Sequence, residues 1–142
     1  MGKGQRFYAD NAGQGIGNIM KKKILLIEDN EQNRYLTTFL LESEGYEVIQ
    51  AFDGATGIKM AGRIIPKLIL LDIQLPVMNG YAVARELRNN PALQNIPIVA
   101  VTSYAMPGDR EKTIAAGCNG YIEKPINPET FTAEIEKYLQ EA

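Results

Sequence analysis

The sequence predicts an α/β fold, a doubly wound parallel sheet of five strands in the order 2-1-3-4-5. Three observations predict it. Strand-length apolar runs recur along the chain, Ile24-Leu25-Leu26-Ile27, Leu68-Ile69-Leu70-Leu71 and Ile98-Val99-Ala100-Val101. Runs this short and continuous, bounded by polar residues, read as strands covered on both faces. Helical segments fill every gap, so strand and helix alternate, and short right-handed crossovers make such a sheet parallel. Two further strands, at 46–49 and 120–123, alternate in polarity as edge strands do, which leaves the three apolar runs for the centre.

That order is the flavodoxin-like version of the doubly wound fold. The first helix is expected over 31–44, with Leu36, Phe39 and Leu40 on its inner face and Gly45 as its stop. Helices over 54–64 and 80–89 follow the second and third strands. Pro107 opens a helix over 107–116 that Gly117 ends, and Asn127 with Pro128 forms the cap and first residue of the last helix. Phe131, Ile135 and Leu139 then face inward. Residues 1–19 differ in kind. Gly2, Gly4, Gly13, Gly15 and Gly17 stand among scattered apolar residues, and such a segment buries too little surface to order itself. The expected division is a flexible glycine-rich extension over 1–19 and one domain over 20–142.

Composition narrows the chemistry. The chain has 142 residues, 45% apolar and 23% charged, which suits one globular domain with a real core. A net charge of −2 gives no basic footprint for nucleic acid. No stretch approaches the roughly 20 apolar residues of a membrane span, and the basic start lacks the apolar core of a secretion signal, so the expected compartment is the cytoplasm. The single cysteine, Cys118, excludes an internal disulfide and multi-cysteine metal sites, and reads as a small buried hydrophobe. The chain has no histidine, which removes histidine-dependent hydrolysis, histidine metal ligation and a histidine pH switch.

Ligands of such a sheet bind beyond the carboxyl ends of the strands, near the switch point between strands 1 and 3. Strand 1 ends in Glu28-Asp29, strand 3 in Asp72, strand 4 in Thr102-Ser103 and strand 5 in Glu123-Lys124-Pro125. Clustered carboxylates repel one another, and a hard divalent cation such as Mg²⁺ relieves them. With a lysine opposite, the set can stabilise phosphoryl oxygens, and a carboxylate can serve as the nucleophile. Each residue alone has a plainer role: the acidic pair or Thr102 as helix caps, Asp72 as a turn residue, Lys124 as a solvated charge. Convergence at the ends of four strands favours the chemical role.

These residues resemble the receiver domain of two-component response regulators, a CheY-like family. The resemblance runs from about Lys21 to Glu141. It rests on Ile27-Glu28-Asp29-Asn30, on Leu71-Asp72-Ile73-Gln74-Leu75-Pro76-Val77-Met78-Asn79-Gly80, on Val101-Thr102-Ser103-Tyr104-Ala105 and on Gly120-Tyr121-Ile122-Glu123-Lys124-Pro125. It implies that Asp72 accepts a phosphoryl group from a histidine kinase or histidine phosphotransfer protein. Mg²⁺, with Mn²⁺ as a substitute, would be held by Asp29, by Glu28 through water, by Asp72 and by the Gln74 backbone carbonyl. Lys124 would contact the phosphoryl oxygens, ahead of a cis bond to Pro125. Thr102 would bond a phosphoryl oxygen and draw its loop inward, and Tyr121 would turn into the space that opens. The helix at 107–116, strand 5 and the last helix would carry the readout to a protein target. Catalysis would be limited to the chain's own phosphorylation and dephosphorylation. The Glu-Asp-Asn opening looks most like DivK-type single-domain regulators and the receivers of hybrid kinases, and a stand-alone receiver without an output domain is the expectation. Gln74 stands where a haloacid-dehalogenase-type phosphatase needs a second acid. A binding module that is never phosphorylated remains the other alternative. Tyr104 is expected to shield the acyl phosphate from water.

Overall fold

The computed structural model describes residues 21–103 and 107–141. Five strands, β1 (Lys23–Ile27), β2 (Glu47–Ala51), β3 (Leu68–Asp72), β4 (Ile98–Thr102) and β5 (Gly120–Glu123), alternate with α1 (Glu31–Ser43), α2 (Gly54–Ile64), α3 (Gly80–Arg88), α4 (Asp109–Ala115) and α5 (Phe131–Glu141). The strands pair in parallel in the order β2-β1-β3-β4-β5. A short 3-10 turn, Pro91–Leu93, precedes β4. β3 and β4 are buried at every position and β1 at all but Lys23. This is the expected consequence of apolar runs with helices on both faces.

Strand alternation divides the core in two. On one face Leu25, Ile27, Ile69, Leu71, Ile98 and Ala100 pack against Ala61 of α2 and Val83, Ala84 and Leu87 of α3. On the other Ile24, Leu26, Leu68, Leu70, Val99, Val101 and Ile122 pack against Leu41 of α1 and Phe131 and Ile135 of α5. No helix among the described residues is long and apolar enough to cross a membrane. The glycine-rich segment and Tyr104 lie outside the described residues.

Four local expectations change. The buried stripe of α1 is Thr37 and Leu41, while Phe39 is 57% exposed and stacks beside Tyr35, with ring centroids 6.5 Å apart. Leu36 and Leu40 sit only half-buried on the flank, because the i, i+4 pair 37/41 points at the sheet. The helix expected over 107–116 spans Asp109–Ala115, because Gly108, at φ 93°, holds a left-handed conformation that an α-helix cannot include. α5 begins at Phe131, after a turn over 128–130. Asn127 still organises that turn: its Oδ1 accepts from Glu129 N–H and its carbonyl from Phe131 N–H, both at 3.0 Å. β2 runs over Glu47–Ala51 rather than 46–49, extending the ladder to the Ile27–Ala51 pair.

Gly80, the first residue of α3, fixes how the loop after β3 turns. Its N–H donates to the Ile73 carbonyl at 2.9 Å, and a Cβ here would stand 2.6 Å from both the Asp72 carbonyl oxygen and Ile73 Cα. Gly80→Ala should therefore destabilise the fold by about 1–3 kcal/mol. Urea unfolding measures this, and an unchanged midpoint would contradict the close approach. Cys118 is buried, and burial pushes its thiol up to about 11. Ellman's reagent should react with it at least about 100-fold more slowly in the native protein than in the urea-unfolded chain. Equal rates would place the thiol at the surface.

Candidate functional site

The two-residue period of the strands decides which polar side chains meet. Glu28 continues β1 in phase with Ile24 and Leu26, Asp72 closes β3 in phase with Leu68 and Leu70, and Lys124 follows β5 in phase with Ile122. All three share the face covered by α1 and α5. Register aligns them further. Ile27 pairs with Leu71, so Glu28 and Asp72 occupy one row at the sheet edge. There they converge: Lys124 Nζ lies 3.3 Å from Glu28 Oε1 and 3.2 Å from Asp72 Oδ1. Glu28 and Asp72 are 3% and 2% exposed, while Asp29 faces solvent. Glu28, Asp29 and Asp72 each place a carboxylate oxygen within 4.8 Å of the others'.

Backbone geometry holds this cluster. Asn30 N–H donates to Glu28 Oε2 at 3.2 Å, and Gln74 N–H donates to Asp72 Oδ1 at 3.0 Å. Arg34, one turn into α1, ties down the acidic segment. Its Nη1 donates to the carbonyls of Glu28 at 3.1 Å and Asp29 at 2.8 Å, and its guanidinium lies 3.8 Å over the Phe52 ring. The plainer roles of the acidic pair, Thr102 and Lys124 fall away, while Asp72 does accept the N–H two residues on, as a turn residue would. The cap of α1 is Asn30, whose side chain accepts from Asn33 N–H, and the cap of α4 is Gly108 with no side-chain bond. Neither the acidic pair nor Thr102 caps a helix, and Lys124 is only 17% exposed.

The electrostatics are unfavourable without a further cation. Burial and the facing Asp72 carboxylate push Glu28 up to about 7, against the pull of Lys124. One ammonium does not balance three carboxylates. The donor set is all oxygen, with one solvent-facing carboxylate, and this suits a hard divalent ion that keeps several waters. The Gln74 carbonyl stands in the loop directly after Asp72.

Thr102 is in the opposite phase, with Ile98 and Ala100, and is 3% exposed at the end of β4. Gln74 reaches it across the sheet edge. Its Nε2 donates to Thr102 Oγ1 at 2.7 Å, while its Oε1 accepts from Ser103 N–H at 3.1 Å and Ser103 Oγ at 3.2 Å. Tyr121 is half-buried against the α2–α3 side of the core, in the row of Ala100. Pro125 follows Lys124 through a cis peptide bond. Two contributions escaped the sequence: the Gln74 side chain, singled out only for its backbone carbonyl and for standing where a phosphatase needs a second acid, and the Arg34 clamp. A basic residue one turn after an acidic pair was the available signal for the second.

The model of the response regulator receiver domain matches residues 24–136. The chain belongs to the response regulator receiver family. The polar-differentiation response regulator DivK of Brucella anthropi is 42% identical over 123 residues, covering 87% of this chain and all of that protein. The receiver domain of a sensor histidine kinase from Pseudomonas aeruginosa, solved with a magnesium ion coordinated in its active-site cleft, superposes with a TM-score of 0.79 at 35% identity. It covers 85% of this chain and 99% of its own. The chemotaxis protein CheY4 of Vibrio cholerae gives a TM-score of 0.80 at 28% identity, over 84% of this chain and 99% of that one.

In this receiver, Lys124→Met should leave two buried carboxylates facing each other without their ammonium. The expected loss, measured by urea unfolding in EDTA, is about 2–3 kcal/mol, below the range for fully buried pairs because Lys124 retains some solvent contact. A variant as stable as the parent would show that the pair contributes nothing.

Proposed function

We propose that this receiver accepts a phosphoryl group on Asp72 from a phosphohistidine on a partner protein, a histidine kinase or a histidine phosphotransfer protein, and then regulates a protein target in the cytoplasm. The observation that carries this is the buried Asp72 carboxylate, 3.2 Å from Lys124 Nζ and clustered with Glu28 and Asp29. The chain has no histidine, so the donor imidazole must come from elsewhere.

Asp29, Asp72 and the Gln74 carbonyl would hold Mg²⁺ directly and Glu28 would hold it through water, with Mn²⁺ as a substitute. The bound ion supplies positive charge for the phosphoryl oxygens as transfer proceeds. Asp72 attacks phosphorus with a carboxylate oxygen. The P–N bond to the donor breaks, its electron pair returns to the imidazole nitrogen, which takes up a proton, and an acyl phosphate remains on Asp72. Lys124 moves its attraction from the free carboxylates to the phosphoryl oxygens. Thr102 donates its hydroxyl to one of them, and Tyr121 turns inward as the end of β4 shifts. α4, β5 and α5 then present the altered face to the target. Water later cleaves the acyl phosphate and restores the carboxylate. The chain turns over only its own phosphoryl group and is not an enzyme toward other substrates.

Incubation with Mg²⁺ and acetyl phosphate should add one phosphoryl group by intact-mass measurement. The adduct should be labile to hydroxylamine, and Asp72→Asn should abolish it. No adduct from acetyl phosphate or from a cognate kinase would favour a binding module that is never phosphorylated.

A further inference from the structure

We propose that the Gln74 carboxamide is a latch that holds the unphosphorylated state of this receiver by occupying Thr102 and Ser103. The inference rests on the switch function above and assigns a regulatory role to a side chain that the transfer step does not use.

Three hydrogen bonds from one side chain span the gap between the loop after β3 and the end of β4. Their polarity matters. The amide nitrogen donates to Thr102 Oγ1, and the amide oxygen accepts both the N–H and the hydroxyl of Ser103. Thr102 stands on the α2–α3 side of the sheet, whereas Asp72 stands on the α1–α5 side, in the row of Val101. A phosphoryl group on Asp72 brings oxygens that need donors, and Thr102 is one residue away from that row. To reach them, Thr102 and the chain after it must turn toward Asp72, and the Gln74 fork holds both residues on their own side. Gln74 uses Thr102 Oγ1 as an acceptor and a phosphoryl oxygen needs its O–H as a donor, so latch and phosphoryl group compete for the position of that hydroxyl rather than for its hydrogen. The same residue donates its backbone N–H to Asp72 Oδ1, so the latch is anchored where the phosphoryl group arrives. A carboxamide suits the task because it presents a donor and an acceptor side by side. Methionine, of similar length, offers neither.

The test uses beryllofluoride, formed from beryllium chloride and excess fluoride, as a tetrahedral mimic of a phosphoryl group on a carboxylate. Its affinity is measured at saturating Mg²⁺ by amide NMR for the parent, Gln74→Met and Ser103→Ala. Gln74→Met should bind the mimic about fivefold more tightly, the scale of one net hydrogen bond. Before any mimic is added, its Ser103 amide resonance should already be displaced toward the position seen in the mimic-bound parent. Ser103→Ala, which loses one bond of the three, should gain about twofold. Equal or weaker binding by Gln74→Met, or an undisplaced Ser103 amide, overturns the latch alone. If Gln74→Met fails to fold, the absence of any gain in Ser103→Ala overturns it instead. A parent that binds no mimic overturns the switch function and the latch with it.

Discussion

Three carboxylates held within 4.8 Å of one another, two of them buried, are the constraint on which the rest of this molecule depends. A protein gains no stability from such a cluster. Desolvation and mutual repulsion both disfavour it, and the upward displacement of Glu28 to about 7 expresses that cost. The fold tolerates it through anchors nearby. Lys124 spans Glu28 and Asp72, backbone N–H groups of Asn30 and Gln74 satisfy one oxygen each, and Arg34 grips the chain that carries the acidic pair. Under the proposed function, the remaining imbalance would be the source of an affinity for positive charge and for a group that arrives with it.

The sheet beneath is what makes the anchors accurate. Parallel register places Glu28 and Asp72 side by side, and the phase of β5 delivers Lys124 to the same face. Thr102 falls in the opposite phase on the neighbouring strand, so the hydroxyl sits near the cluster without belonging to it. Gln74 links the two faces. The site is therefore two half-sites on opposite sides of one sheet edge, joined by Gln74, and that separation would give the proposed switch two positions to choose between.

Much of this was legible in the residues. Continuous apolar runs can satisfy themselves only between two layers of helix, so the strand order and the polar residues at the strand ends followed from periodicity alone. Glu28, Asp29, Asp72 and Lys124 meet where the topology puts them, and Thr102 stands beside them on the other face, bonded to Gln74. The misplaced details are of another kind. Whether Phe39 or Leu41 faces the sheet depends on the roll of α1 by a fraction of a turn, which a helix rich in both charged and aromatic residues does not specify. The start of α4 depends on Gly108 being left-handed rather than helical, a choice made by the surrounding chain. The Gln74 fork was invisible because it joins residues 28 and 29 positions apart, through a loop that periodicity does not describe.

Linkage between Mg²⁺ and stability tests the central claim most directly. An ion that binds the folded chain and not the unfolded one raises unfolding free energy by about 1.4 kcal/mol for each tenfold rise in concentration above its dissociation constant. Urea unfolding across a Mg²⁺ series should give that slope, one ion per chain, in the parent and a much smaller slope in Asp29→Asn. A parent whose stability does not respond to Mg²⁺ would contradict the account that the carboxylate cluster is built to be completed by a cation.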